Sequence, residues 1–139
     1  MAEDWTVELG TLDGRITFCE PRYVDGDVAS IRATIDIGDL HASCRVSVYD
    51  SRELVAWLRA LGEEWRGWDG PRSWASALDD LQLTAHHDRI GHVFLQATFD
   101  GYLPHRRDRP GWSLSGAVLV EPGQLPVIAT TLGHLLEQT

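Results

Sequence analysis

Two short turns constrain this chain more than any other feature, because they fix how its first strands pair. The residues around Asp25-Gly26 and Gly38-Asp39 alternate between apolar and polar, which is the period of a half-buried β-strand. A two-residue turn at Gly38-Asp39 pairs Ile37 with Leu40, so that apolar residues face apolar partners along both strands. The turn at Asp25-Gly26 extends this register to the preceding strand. The predicted pairs are Phe18 with Ala33, Ile16 with Ile35, Ile35 with Ala42, Ala33 with Cys44 and Ile31 with Val46.

The apolar period changes to that of a helix after the third of these strands. Asp50 and Glu53 fit a capping box, and a stripe at helical spacing runs to Gly67, formed by Leu54, Leu58, Leu61 and Trp65. Strand patterns return at Trp74, Leu81, Val93 and Trp112, and the leucines after Pro126 predict a last helix. The 139 residues therefore predict one α+β domain, residues 1–139. In it, two helices pack on one face of a single antiparallel sheet of about seven strands (ββββ-α-βββ-α).

Charge limits the partners of such a domain. Twelve basic and twenty-one acidic residues give a net charge of −9, which disfavours binding to nucleic-acid phosphates and to anionic membranes. The same charge favours a basic protein partner. The start of the chain, MAEDWTVELG, lacks the features of a secretion signal, and no apolar run approaches a membrane span. We therefore expect a cytoplasmic protein with no nucleic-acid partner and no membrane partner.

Residues 63–74 read EEWRGWDGPRSW and hold three of the six tryptophans. Trp65 extends the apolar helical stripe, so we expect it in the core. Trp68 and Trp74 flank a Gly/Pro loop, and Arg72 is placed to stack on one of the two rings. We call Trp68, Arg72 and Trp74 the tryptophan corner. It predicts either a packed helix-to-strand connection or an aromatic cleft for a partner's side chain or a small ligand.

The histidines in HHDRIGH suggest a metal site. A five-residue loop from His87 to Gly91 sets His86 opposite His92, close enough to share one ion, with Asp88 as a third ligand. The alternative is a solvated strand face on which Asp88 caps the loop.

Cys19 is placed by the two turns opposite Arg32, and Arg32 is placed opposite Arg45. Two guanidinium groups beside a thiol favour the thiolate, and they predict a reactive cysteine or an anion site. Two adjacent arginines also require an acidic partner, either within the chain or on another molecule. The alternative is a partly shielded thiol without a general base. Cys44 points the other way, into the core, so we predict no disulfide bond.

The segment from Arg66 to Val93 carries a distinctive set of residues. They are Gly67, Trp68, Gly70, Arg72, Trp74, Ser76, Leu81, Leu83, Ala85, Asp88, Gly91, His92 and Val93. In these residues, and more loosely along the rest of the chain, the sequence resembles an uncharacterised actinobacterial family, domain of unknown function 6228. It departs from that pattern at Ala77-Leu78, where similar sequences carry a glutamate. The family in turn resembles immunity proteins, small acidic partners that neutralise the toxins of contact-dependent competition systems. The resemblance implies a fold and a class of role, and it supplies no catalytic residue.

Charge, size and resemblance together favour a non-enzymatic interaction protein, either of immunity type or a regulatory partner of another protein. The sequence has no nucleotide-binding loop, dinucleotide fingerprint, Gly-x-Ser-x-Gly or zinc motif, so we expect no cofactor. One alternative is a small-molecule binding module at Trp68 and Trp74. Another is an enzyme that uses Cys19 or a His86/His92 metal site. A monomer and a homodimer both fit the sequence.

Overall fold

The structure is a computed structural model that describes residues 5–48, 51–106 and 108–136. Within these ranges, eight strands and two helices follow one another in the order ββββ-α-ββββ-α. Their bounds are β1 (Thr6–Gly10), β2 (Gly14–Val24), β3 (Asp27–Ile37), β4 (Leu40–Ser47), α1 (Ser51–Glu63), β5 (Arg72–Ala75), β6 (Leu81–His87), β7 (Val93–Gly101), β8 (Trp112–Val120) and α2 (Gln124–Leu136). No helix in these described ranges has the length and apolar character to cross a membrane.

The predicted register of the first strands is confirmed. Both two-residue turns form, and residues in them adopt the positive φ that such turns need: φ is 53° at Asp25, 87° at Gly26 and 55° at Gly38. Ile37 pairs with Leu40, Ile35 lies between Ile16 and Ala42, and Ile31 pairs with Val46, as the alternation requires. The first sheet therefore has the strand order β1-β2-β3-β4 and one continuous apolar face.

The prediction of a single sheet is wrong. The strands after α1 form a second antiparallel sheet with the order β5-β6-β7-β8. The apolar faces of the two sheets pack on each other, and β8 contacts β1, β2 and β3. The side chains of both faces belong to one buried cluster. Alternation shows which face of a strand is buried, but it does not show whether a helix or another sheet buries it.

The two helices lie against strands at the edges of the sheets instead of covering one face. α1 and α2 pack against each other, α2 contacts β1, and α1 contacts β5. The helix–helix contact is close, because a Cβ added at Gly62 would lie 3.0 Å from the Pro126 ring. Leu54, Leu58 and Leu61 of α1 are buried, as their spacing predicts.

Trp65 is not a core residue, contrary to the prediction. α1 ends at Glu63, and the chain then turns towards Gly67, whose φ is 129°. The helical spacing that would have placed Trp65 under the leucine stripe no longer applies. Its side chain is 57% exposed, and the guanidinium of Arg66 lies 5.0 Å from its ring centre. Glu53 lies in the first turn of α1, whereas Asp50, the predicted cap, is outside the described residues.

Candidate functional site

The tryptophan corner is buried and internally hydrogen-bonded. Trp68 is 4% exposed, and its Nε1 donates a hydrogen bond to the carbonyl oxygen of Ala85 at 3.3 Å. Trp74 is 9% exposed, and its Nε1 is buried with no hydrogen-bond partner among the described residues. Because both rings are covered, the corner presents no open aromatic cleft. A groove of about 270 Å³ does run along Trp74, and its other walls are Ser73, Ala75, Gln82 and Thr84.

Arg72 completes this corner, and its predicted stacking is found. Its guanidinium lies 5.8 Å from the ring centre of Trp68 and donates two hydrogen bonds to Glu64, at 2.5 and 3.2 Å. On the other side, His87 meets the Trp68 ring edge-on at 5.1 Å, and its Nε2 is 2.9 Å from the Trp65 carbonyl oxygen. These contacts tie the end of α1 to β5 and β6, which makes the corner a structural connection.

The predicted pairing of His86 with His92 is wrong. The loop between β6 and β7 begins one residue later, so His87 pairs with Val93 and His86 pairs with Phe94. Residues 88–92 then form the loop, and His92 lies inside it instead of on a strand. No group of three or more His, Cys, Asp or Glu side chains within residues 5–48, 51–106 and 108–136 is placed to hold a metal ion.

Asp88 caps this loop. Its Oδ1 accepts hydrogen bonds from the backbone N–H groups of Ile90 at 2.8 Å and His92 at 3.0 Å, and its Oδ2 lies 2.9 Å from His92 Nδ1. Desolvation tends to raise the pKa of Asp88, but these hydrogen bonds outweigh it and lower the pKa below its ordinary value. The loop therefore has a structural reason for both Asp88 and His92. The alternative interpretation predicted the Asp88 cap, but it placed His92 on a strand, where it does not lie.

An arginine cluster lies on the outer face of the first sheet. Cys19 pairs with Arg32, and Arg32 pairs with Arg45, as the turns predict. The acidic partner that the two arginines require is Glu20. Its carboxylate is 2.7 Å from Arg32 Nε, and its carbonyl oxygen accepts a hydrogen bond from Arg45 Nη1 at 2.5 Å. Arg32 also donates to the hydroxyl of Ser43 at 3.3 Å.

A third arginine joins this cluster because β2 is bulged. The register shifts between Cys19 and Arg22, where Glu20 has a φ of 48°. Burial lowers the pKa of Arg45, and the positive charges of Arg22 and Arg32 lower it further. The arginine cluster thus consists of Arg22, Arg32 and Arg45, together with Glu20. The proline that follows Glu20 was the available signal, because proline within a strand is found at edges and bulges.

His86 does not share a face with the arginine cluster. In a single sheet of the predicted kind both would lie on the polar face, but Arg32 and Arg45 belong to the first sheet and His86 to the second. The arginine cluster and His86 therefore lie on the outer faces of two different sheets, and they do not form one site.

A buried polar turn joins β5 to β6. The hydroxyl of Ser76 accepts hydrogen bonds from the backbone N–H groups of Asp80 and Leu81, both at 3.1 Å, and donates to the Asp80 carboxylate at 2.5 Å. Ser76 is 3% exposed and Asp80 is 9% exposed. Asp79 has a φ of 56°, so Asp79-Asp80 lies in a turn and is not a pair of carboxylates acting together.

Cys44 packs against the core next to this turn. Its Sγ lies 3.9 Å from the carbonyl oxygen of Asp80, and neither cysteine of the chain forms a disulfide bond, as predicted. Burial raises the pKa of the Cys44 thiol to about 12, and the negative charge of Asp80 adds to the effect. The thiol is therefore protonated at neutral pH, which is the opposite of what a nucleophilic cysteine needs.

Alkylation tests this property of Cys44. In a Cys19→Ser variant at about pH 8, we expect iodoacetamide to modify Cys44 at least about tenfold more slowly than in the same variant unfolded in urea, because only the thiolate reacts. In the folded variant the rate should increase about tenfold per pH unit, without levelling off below the pKa of about 12, because the thiolate fraction increases in the same way. Mass spectrometry of timed samples measures both rates, and equal rates in the folded and unfolded protein would contradict the raised pKa.

The sequence matches a family of unknown function, DUF6228, over residues 7–139. The chain belongs to this family. The match covers both sheets and both helices, including the tryptophan corner and the arginine cluster. No curated protein matches the chain.

Proposed function

We propose that this DUF6228 protein is a non-enzymatic interaction protein, an immunity-type or regulatory partner of a second protein, and that the arginine cluster is its docking point. The observation that carries the proposal is the unequal charge of that cluster. Three arginines, Arg22, Arg32 and Arg45, lie near one another, and the Glu20 carboxylate forms an ion pair with Arg32 alone in the contacts described. The cluster has an excess of positive charge within a chain whose net charge is −9.

The hydrogen bonding of Arg45 supports a role in recognition. Its Nη1 binds a backbone carbonyl, and its Nε is buried without a hydrogen-bond partner among the described residues. A carboxylate on a partner would offset the repulsion among the three arginines, because charge-assisted hydrogen bonds to guanidinium groups are stronger than neutral ones. At long range the net charge of −9 attracts a basic partner, and at contact the cluster selects an acidic group on that partner.

Cys44, His87 and His92 support an interaction role better than an enzymatic one. The raised pKa of Cys44 keeps its thiol protonated, His87 is bonded to the Trp65 carbonyl, and His92 is bonded to Asp88. Each of these groups is held by a contact that stabilises a loop or the core.

Binding to the protein encoded by the neighbouring gene tests this proposal. Isothermal titration calorimetry should detect a complex with the wild-type protein. We expect the Arg32→Gln/Arg45→Gln double variant to bind about tenfold to a hundredfold more weakly, since it removes charge-assisted contacts. Circular dichroism should show that the variant remains folded.

An Arg59→Gln/Arg66→Gln double variant is the matched control, because it removes the same charge from exposed arginines in and just beyond α1, away from the cluster. Its affinity should remain close to that of the wild type. Absence of any complex would overturn the interaction role for this partner. A complex weakened equally by both double variants would leave the interaction role standing and remove the arginine cluster as its docking point.

A further inference from the structure

The outer face of the second sheet is almost without charge. β5–β8 contain two charged residues, Arg72 and Asp100, although 24% of the chain is charged. Arg72 pairs with the buried Ala85 and belongs to the inner face, whereas Asp100 lies at the end of the sheet, where its carboxylate accepts a hydrogen bond from Ser113. The centre of the outer face is formed by uncharged polar side chains, such as Gln82, Thr84, Gln96 and Thr98.

The outer face of the first sheet shows how unusual this is. On that face, side chains of neighbouring strands form ion pairs: Arg32 with Glu20, Arg15 with Glu8 and His41 with Asp36. Such pairs keep an exposed sheet face solvated, and charged side chains are a common defence against unwanted association. The second sheet lacks this defence, and depletion of charge is a mark of residues at the centre of protein interfaces.

Exposed apolar groups lie at one end of this uncharged face. Phe94 is 45% exposed and pairs with Leu119 on β8, and Ala117 beside it is also exposed. The groove of about 270 Å³ between Ser73 and Thr84 crosses the opposite edge of the sheet. The face therefore offers both an apolar end and a shallow polar recess.

We propose that the outer face of β5–β8 binds a second copy of this chain, face to face about a two-fold axis. Two copies with a net charge of −9 repel each other wherever their carboxylates meet, and this face allows contact without burying such charges. Its hydroxyl and amide groups are hydrogen-bond donors and acceptors at once, so an identical face complements it. The proposal goes beyond the proposed function, because that function uses the first sheet.

The size of the face predicts a weak dimer. Four strands about 4.8 Å apart, with a mean length of about 25 Å, present a flat area of roughly 500 Å². Each partner in a complex of standard size buries roughly 800 Å². We therefore expect a weak dimer, with a measurable dimer fraction only in concentrated solution.

Sedimentation equilibrium tests this inference on the whole chain. The wild-type protein should change from monomer to dimer between about 10 μM and about 1 mM. Gln96→Lys places a charge in the middle of the face on both copies, and we expect it to weaken the dimer at least about tenfold. Thr6→Lys is the control, since it adds the same charge at an exposed position on β1 of the first sheet and should leave the dimer unchanged.

Two results would overturn the inference. One is a wild-type protein that stays monomeric over the whole concentration range. The other is a dimer that Gln96→Lys and Thr6→Lys weaken equally, because such a dimer would use a different face. Neither result bears on the arginine cluster, since both the cluster and its binding test involve other residues.

Discussion

Replacing Ser76 by alanine should destabilise the protein by about 3–5 kcal/mol, although the change removes a single oxygen atom. The Ser76 hydroxyl is the hydrogen-bond acceptor for the backbone N–H groups of Asp80 and Leu81, and it is also a donor to the Asp80 carboxylate. Alanine would remove all three hydrogen bonds at once.

The size of this effect follows from burial. Ser76 and Asp80 are both at least nine-tenths buried, so water cannot easily replace the missing partner. A buried donor left without a partner costs about 1–3 kcal/mol, and here two backbone donors and one carboxylate lose the same group. The turn also supports the sheet around it, because the Asp80 carbonyl accepts a hydrogen bond from the N–H of Asp100 at 3.0 Å.

Urea denaturation followed by circular dichroism measures this loss, and the melting temperature should fall by roughly 10–20 °C. Ser73→Ala is the matched control. Ser73 is exposed on the same strand, and its hydroxyl contacts only the Thr84 hydroxyl in the hydrogen bonds described, at 3.1 Å. We expect its free energy of unfolding to change by less than about 0.5 kcal/mol. Equal stability of the two variants would contradict the role of the Ser76 hydroxyl.

The pairing within the first sheet could be predicted because it depends on neighbours in the sequence. Two-residue turns at Asp25-Gly26 and Gly38-Asp39 leave little freedom of register, and the alternating apolar residues agree with the turns. The opposition of Cys19, Arg32 and Arg45 followed from the same reasoning. The acidic partner did not, because Glu20 reaches Arg32 only through the bulge in β2, which breaks the two-residue period.

The register of β6 and β7 shows what an apolar pattern leaves open. A loop that begins at His87 and a loop that begins at Asp88 both keep Leu83, Ala85 and Leu95 facing inward. The pattern cannot separate them, because shifting one strand by two residues preserves its buried face. Hydrogen bonds decide the outcome: Asp88 binds the N–H groups of Ile90 and His92, and its own N–H binds the His92 carbonyl.

The division into two sheets could not be predicted from the sequence, for a different reason. Every strand has one apolar face, and that face is satisfied equally by a helix or by another sheet. The choice depends on how closely the two layers can approach. Small residues on β7 and β8 allow a close approach, since Ala97 pairs with Gly116 at the point where the first sheet packs on the second.

Gly116 is therefore the position at which a larger side chain should be most harmful to the packing of the two sheets. A Cβ there would lie 2.9 Å from Cδ1 of Ile37 and 3.0 Å from Cδ1 of Ile35. Ile35 is completely buried, so its side chain has little room to move aside. We expect Gly116→Val to destabilise the protein by about 1–3 kcal/mol, because overpacking pushes the Ile35 and Ile37 side chains out of their preferred positions.

Ala117→Val is the matched control, since it introduces the same side chain at the next residue of β8, on the exposed outer face. Its free energy of unfolding in urea should differ from that of the wild type by less than about 0.5 kcal/mol. Equal effects at the two positions would show that β8 is sensitive to valine itself and not to contact with the first sheet.

A double-mutant cycle locates the strain at the contact between the sheets. Ile37→Val removes the Cδ1 atom that lies nearest to an added Cβ at Gly116. Gly116→Ala alone and Ile37→Val alone should each cost about 1 kcal/mol, the first by overpacking and the second by loss of a buried methyl group. Together they should cost at least about 0.5 kcal/mol less than the sum of the two, because the cavity left by the methyl group receives the new one. Strict additivity would mean that Gly116 and Ile37 do not touch, and the close packing of β8 on the first sheet would then be wrong.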